Sequence, residues 1–149
     1  MSGEAVVVFG TQKTLEAAGA QITSNSVAPA DDAVYGIVAD GASFPDAEFS
    51  LTCTFAGTPA SNAIVSLYAA PQDIDGTLDA DPPESSRPSI FVGTFAVKAT
   101  TSSQTIPLTG VVARDLPAIA YYYLHNNTAV TINAGWSLKI KPRSYKAAP

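Results

Sequence analysis

The chain has 149 residues, a length that fits one domain, and 14% of them are charged, against about 25% in typical soluble domains. Its formal net charge is −5. Phosphate contacts need clustered Lys and Arg, so this net charge argues against nucleic acid as the main ligand.

Features of secretion and membrane insertion are missing from the sequence. The first four residues, Met1 to Glu4, carry no basic region, and no apolar run approaches about 18 residues. We therefore expect synthesis in the cytoplasm and no membrane partner. Cys53 is the single cysteine and lies in the alternating run Phe49 to Phe55, which predicts a core thiol rather than a nucleophile.

The first third of the chain has weak periodicity. Ala5 to Phe9 is a β-branched run that predicts either a strand or an extended arm added to a neighbour's sheet. Lys13 to Ala20 contains helix formers but is short and interrupted by Gly, and residues 21–45 are small, polar and irregular, with one possible helical turn at Ala30 to Tyr35. These patterns predict a loop-rich, peripheral segment.

This contrast divides the chain into an N-terminal arm and irregular segment, residues 1–45, and a β-sandwich, residues 46–149, within one domain. We expect Met1 to Ala30 to contribute more to partner attachment than to the fold. The apolar patch formed by Val6, Val7, Val8 and Phe9 is the candidate contact, because an isolated monomer has little reason to expose it.

Short alternating runs separated by turn residues fill the rest of the chain. They are Phe49 to Ala56, Ala63 to Ala69, Ile90 to Lys98, Gln104 to Thr109, Ile119 to Leu124, Ala129 to Ile132 and Trp136 to Lys141. Pro107 predicts that its strand lies at an edge or contains a bulge, and Phe91, Gly93, Phe95 and Val97 are predicted to share one face. The pattern indicates an all-β fold, an antiparallel β-sandwich or jelly roll of about seven or eight strands. Trp136 is predicted to lie in its core.

An acidic loop between two of these strands has the oxygen spacing of a calcium loop. The candidate ligands are Asp73, Asp75, Asp79, Asp81 and Glu84. The match fails at Gly76, which falls two positions early, and at Pro82 and Pro83, while strands rather than helices flank the loop. We favour a solvated connection and predict no metal and no cofactor.

His125 is the only histidine, so a multi-histidine metal site is excluded. Its position before Asn126 and Asn127 predicts a hydrogen-bonded structural residue at the end of a strand. The sequence has no Gly-Xaa-Ser-Xaa-Gly elbow, no phosphate-binding Gly loop and no carboxylate pair spaced for acid–base work. We predict no enzymatic activity.

Two further segments have alternative interpretations. The run Tyr121 to Tyr123 puts Tyr122 on one face and its neighbours on the other, which indicates either a strand buried on both faces or an aromatic platform for sugar or a partner. The basic tail is either a strand with an outward cationic face or a docking arm for an acidic surface. Its cations are Lys139, Lys141, Arg143 and Lys146.

Several stretches together resemble small jelly-roll virion proteins of tailed bacteriophages, the class that decorates or cements the capsid. They are Ser66–Tyr68, Asp73–Gly76, Pro82–Pro83, Phe91–Phe95, Tyr122–Asn127 and Ala134–Pro142, within a similarity that spans roughly residues 47–145. The resemblance implies a homo-oligomer that lines seams between capsomers, with an extended terminus gripping a neighbour.

The expected function is therefore that of a capsid decoration protein that binds the assembled phage head, with the major capsid protein or another virion protein as partner. It would be made in the bacterial cytoplasm and reside in the virion. The alternative from another class is a carbohydrate-binding or tail-associated receptor-binding module that uses the tyrosine run, with a calcium ion in the acidic loop as a further option.

Overall fold

The computed structural model describes residues 5–40, 43–72 and 90–147. These residues form nine strands: β1 (Ala5–Phe9), β2 (Lys13–Gly19), β3 (Val27–Gly36), β4 (Asp46–Cys53), β5 (Ile64–Pro71), β6 (Ile90–Ala96), β7 (Gln104–Pro107), β8 (Ile119–Asn126) and β9 (Trp136–Ala147). All their pairings are antiparallel. Within the described ranges there is no helix that could span a membrane. The predicted all-β sandwich is confirmed.

The strands form two sheets. A five-stranded sheet has the order β1-β9-β4-β7, with β2 also paired to β9, and a four-stranded sheet has the order β3-β8-β5-β6. From β2 onward the strands pair as a nested hairpin, because β2 pairs with β9, β3 with β8, β4 with β7 and β5 with β6. This is the connectivity of a jelly roll. β1 lies outside that set of eight and extends the first sheet along β9.

The core forms between the sheets from side chains that recur at every second position. On β4 buried and half-buried residues alternate along the whole strand, with Phe49 and Leu51 facing inward. Trp136 is 1% exposed, which confirms its predicted place in the core, and its indole N–H donates to the Ala20 carbonyl at 2.7 Å. From the other sheet Tyr122 packs on Phe49 with ring centroids 5.1 Å apart.

The prediction of a loop-rich first third is wrong. β1, β2 and β3 together occupy about half of residues 1–45, and Leu15, Ile22 and Tyr35 are fully or almost fully buried in the core. Neither the helix formers of β2 nor the predicted helical turn at Ala30 to Tyr35 forms a helix, because β2 pairs with β9 and β3 pairs with β8, although register shifts interrupt both ladders. Tertiary pairing overrides the local preference. Met1 to Ala30 therefore contains parts of the fold as well as β1.

Two smaller predictions are also wrong. On β6, Leu67 lies opposite Gly93 while Tyr68 lies opposite Phe91, so Val92 is the extra residue of a bulge that reverses the alternation. Phe91 consequently points outward and is 58% exposed, whereas Phe95 is buried. Ala129 to Ile132 is not a strand, since only Ile132 forms isolated bridges there. The edge position predicted from Pro107 is confirmed, because β7 ends its sheet.

Candidate functional site

β1 and the last part of β9 form a two-stranded ribbon at one end of the sandwich. The register runs from Ala5 opposite Ala147 to Phe9 opposite Arg143. On the other side of β9, pairing with β4 stops at Asp46 opposite Arg143. Beyond that point β9 pairs only with β1 within the described part of the chain. We call β1 together with residues 143–147 the ribbon.

The structure brings together the two groups of predicted partner-binding residues. Val6, Val7, Val8 and Phe9 make up most of β1, and Lys139, Lys141, Arg143 and Lys146 lie on β9. The sequence treats the first group as an arm and the second as a tail. Because Val6 lies opposite Lys146 and Phe9 opposite Arg143, both groups belong to the same pair of neighbouring strands.

The ribbon continues both faces of the first sheet. Even-numbered residues of β9 such as Leu138 and Ile140 point into the core, so its odd-numbered residues lie on the outer face. Lys139, Lys141 and Arg143 share this outer face, whereas Lys146 lies on the opposite one. Alternation thus places three of the four cations of the predicted tail on one face.

Cations and aromatic rings are interleaved on the ribbon. On the outer face Lys141 Nζ lies 4.8 Å from the centroid of the Phe9 ring, and Arg143 Cζ lies 5.3 Å from that of Tyr145. On the opposite face Lys146 Nζ lies 5.6 Å from the ring of Phe44. Such contacts hold the cationic groups over apolar surface.

The apolar side chains of the ribbon are accessible. Val6 is 47% exposed, Val7 38%, Phe9 46% and Tyr145 48%. The ribbon therefore presents a mixed apolar and cationic surface, a composition that suits contact with another macromolecule.

Part of the ribbon's positive charge is compensated internally. Arg143 Nη1 donates to Glu48 Oε1 at 2.8 Å and Nη2 donates to the Tyr145 hydroxyl at 2.9 Å. These bonds fix the guanidinium against β4. Beside the ribbon, Lys139, Lys141 and Glu48 line a shallow groove of about 210 Å³ on the outer face of the first sheet.

His125 and Cys53 are structural residues, as the sequence predicts. His125 Nε2 lies 3.1 Å from Asn25 Oδ1, and burial lowers the pKa of the ring. Cys53 is 2% exposed, and burial raises the pKa of its thiol to about 11. The thiol therefore stays protonated at neutral pH and lacks the setting of a nucleophile.

The tyrosine run lies on β8 with the facing that the sequence predicts. Tyr122 is fully buried between the sheets, and Tyr123 is buried on the outer face of the second sheet, as expected of a strand covered on both sides. Tyr68 lies opposite Tyr123 and contacts Phe91 edge-to-face, with ring centroids 5.7 Å apart. Only the β6 bulge puts Phe91 in this outer row, so sequence reasoning missed it.

A carboxylate cluster that sequence reasoning also missed connects the two sheets. Oxygens of Glu16, Asp31 and Asp32 lie within 4.8 Å of one another. Glu16 accepts hydrogen bonds from the N–H groups of Ala18 and Asp31, and Asp32 accepts one from Ala17 at 2.7 Å. Burial raises the pKa of Glu16, and the nearby charge of Asp32 adds to this effect. The cluster thus fastens β2 to β3.

The predicted calcium candidates Asp73, Asp75, Asp79, Asp81 and Glu84 lie outside the described residues. Comparison of the chain with protein-family models, with curated proteins and with solved structures gives no match.

Proposed function

We propose that this chain is a non-enzymatic structural protein of a virion, a decoration or cement protein that binds and stabilises the assembled head lattice of a tailed bacteriophage. The major capsid protein, or another virion protein, would be its partner. Jelly-roll connectivity supports the proposal because viral capsid proteins are among the proteins built on it, although the same fold carries many functions.

The observation that carries the proposal is the ribbon. β1 is added outside the jelly roll and supplies no residue to the described core, yet it exposes Val6, Val7 and Phe9 beside cations. A surface that the fold does not need and that is apolar at its centre fits attachment to a partner.

Attachment would stabilise the head by mass action. A protein that binds only the assembled lattice shifts the assembly equilibrium toward that lattice. A specific contact of this kind buries about 1,200–2,000 Å² in total. The outer face of the ribbon and the adjoining groove with Lys139 and Lys141 would form this contact together.

Charge reversal at Lys141 tests the proposal. We expect Lys141→Glu to weaken co-sedimentation with undecorated, expanded heads of the parent phage by about tenfold or more, because the new carboxylate loses the contact with Phe9 and reverses the local charge. Lys98→Glu is the matched control, since Lys98 is also exposed but follows β6 and is not part of the ribbon. Equal binding by both variants and the parent protein would contradict the proposed contact.

A second candidate function rests on the outer row of Phe91 and Tyr68. The exposed ring of Phe91 and the half-buried ring of Tyr68 beside it suit the apolar faces of sugar rings, so a glycan-binding module is the alternative. In that case Phe91→Ala would abolish binding on a glycan array and leave head binding unchanged.

A further inference from the structure

Most sheet edges of this protein are protected against pairing with other chains. The edge of β2 is covered by β3, because Lys13 Nζ donates to the Val34 carbonyl and the Ala17 N–H donates to Asp32. On β7, a strand of only four residues, Pro107 removes one N–H. Charges, prolines and covering segments are the usual means of blocking an edge.

The two edges of the second sheet follow the same rule. β3 carries Pro29, Asp31 and Asp32. On β6 the carbonyl of Thr94 accepts a hydrogen bond from the N–H of Thr109, at 2.7 Å. Loop backbone thus occupies part of that edge.

β1 has none of these features. Its five residues, Ala5 to Phe9, contain no charge and no proline, and four of them are strong strand formers. Among the described residues it pairs with β9 alone. Within the described part of the chain, one side of β1 is therefore an open and unprotected edge.

The alternation of hydrogen bonding along β1 shows which of its backbone N–H and C=O groups point toward the open edge. The N–H of Gly10 donates to the Pro142 carbonyl at 2.8 Å, so Gly10 and Pro142 are a hydrogen-bonded pair. In an antiparallel ladder such pairs alternate, and hence Val8 and Val6 also turn their backbone groups toward β9. The N–H and C=O groups of Ala5, Val7 and Phe9 consequently point away from β9.

We propose that this edge pairs with β1 of a second copy of the chain, antiparallel and centred on Val7. A two-fold axis then passes between Val7 and its equivalent, and Ala5 lies opposite Phe9 of the other copy. All three outward N–H groups of each copy find carbonyl acceptors in this register. Shifting the register by two residues leaves some of them unpaired.

Side chains support the same arrangement. Val7 lies opposite Tyr145 within one copy, so pairing creates an apolar row across the joined sheet from Tyr145 through both Val7 side chains to the second Tyr145. The meeting strands carry no charge, which removes like-charge repulsion at the axis. The cations of β9 stay one strand away.

The area available sets the strength of the contact. The side chains that a dimer would cover are only 38–48% exposed in the single chain. Because even a fully buried aromatic side chain contributes about 150–250 Å², each copy would bury only on the order of a few hundred Å² in the dimer. Stable interfaces bury about 800 Å² per partner. We therefore expect a weak, concentration-dependent dimer, whose outer face doubles the surface assigned above to head binding.

Charge variants at Val7 test the pairing without phage heads. Sedimentation velocity of the purified chain over a roughly hundredfold concentration range is expected to show a monomer that converts to a dimer. Val7→Lys and Val7→Glu should each stay monomeric, because like charges would lie directly opposite across the axis. An equimolar mixture of the two variants should restore the dimer. Val38→Lys, at an exposed valine outside the ribbon, should behave like the parent protein.

Three outcomes would overturn the proposal: a parent chain that is monomeric throughout, Val7→Lys that dimerises like the parent, or a mixture that stays monomeric. If the parent chain is monomeric throughout but an added peptide binds it only when β1 is present, the edge of β1 pairs with another partner and not with a second copy. Because head binding is tested at Lys141, failure of the dimer leaves the proposed function standing.

Cysteine cross-linking tests the register on the same strand. Opposite residues of a hydrogen-bonded pair have Cα atoms about 5.5 Å apart, within disulfide range, whereas Val6 lies opposite Val8 of the other copy and not opposite itself. Val7→Cys should thus form a covalent dimer under mild oxidation more readily than Val6→Cys. Buried Cys53 provides an unreactive background. Preferential cross-linking at position 6 would overturn the register.

Discussion

At the scale of single residues, Gly19 of β2 lies opposite Trp136 of β9. A Cβ atom added to Gly19 would lie 2.1 Å from the indole ring, so the ring occupies the space that the missing side chain leaves. Trp136→Ala is expected to lower the free energy of unfolding by about 3–5 kcal/mol, the range for removing a large buried aromatic side chain. Urea denaturation followed by circular dichroism measures this loss.

Tyr145→Ala is the control for that substitution. Its side chain is half exposed on the ribbon, so the expected change is small, within about 1 kcal/mol. A Trp136→Ala protein as stable as its parent would show that the tryptophan does not contribute to the core.

Tyr35 buries a hydroxyl group for which no hydrogen-bond partner is found among the described residues. Its ring packs edge-to-face on Tyr122, with centroids 6.5 Å apart, so the apolar part of the side chain is well placed. An unsatisfied buried donor costs about 1–3 kcal/mol. Tyr35→Phe is therefore expected to raise stability at neutral pH by about 1 kcal/mol, measured by the same denaturation.

The same hydroxyl predicts an alkaline effect. Burial, with the charge of Asp40 adding, raises the pKa of Tyr35 from 10.0 to about 12. Between these values the unfolded chain loses the proton and the folded chain keeps it, so stability falls as the pH rises. The Phe variant should lose less stability than the parent between pH 10.0 and about 12. Cys53, whose pKa is also raised, is present in both proteins; parallel pH profiles would contradict this assignment to Tyr35.

At the scale of elements, β1 and β2 follow one another along β9 but have different roles. No residue of β1 belongs to the described core, whereas Leu15 of β2 is fully buried. Deleting residues 1–9 is expected to leave a cooperative thermal transition within a few degrees of the parent's. Deleting residues 1–19 should abolish it, because the nested pair β2·β9 is lost. If the deletion of residues 1–9 unfolded the chain, the ribbon would be part of the fold.

The same elements show what the sequence can predict. On β4, and on β9 as far as Arg143, the alternation of apolar and polar residues is strict, and those strands and their inward residues follow from it. On β2, Glu16 is buried at the junction between sheets and bulges flank it, so no period of two survives. On β3, Pro29 and the two aspartates disfavour a strand, and a register shift between Ala30 and Tyr35 accommodates them.

The candidate site is likewise predictable from the sequence only in part. Val6 to Phe9 and the basic residues could be selected from composition, since exposed apolar runs and clustered cations are local properties. Their juxtaposition depends on the pairing of residues more than a hundred positions apart, such as Phe9 with Arg143, and no local pattern carries that information. The bulge at Val92, which turns Phe91 outward, is equally invisible to a rule of strict alternation.

At the scale of the whole molecule, the nested pairing orders the contacts by separation along the chain. β5 and β6 are the innermost pair, and β2 with β9 is the outermost pair of the jelly roll. Every layer of the sandwich therefore depends on pairing between distant segments. Surface charge contributes little to this architecture, since the 14% of charged residues leave most of the stabilisation to apolar burial.

This nesting has a consequence for kinetics. Pairing of distant segments must overcome the entropy of loop closure first, so the chain is expected to fold slowly for its size. The ribbon joins the most distant of the described residues and β1 supplies none of the described core, which places the ribbon's amide protons among the first to exchange with solvent. An edge that opens and closes while the jelly roll stays intact can be engaged and released repeatedly, without any cost to the rest of the protein.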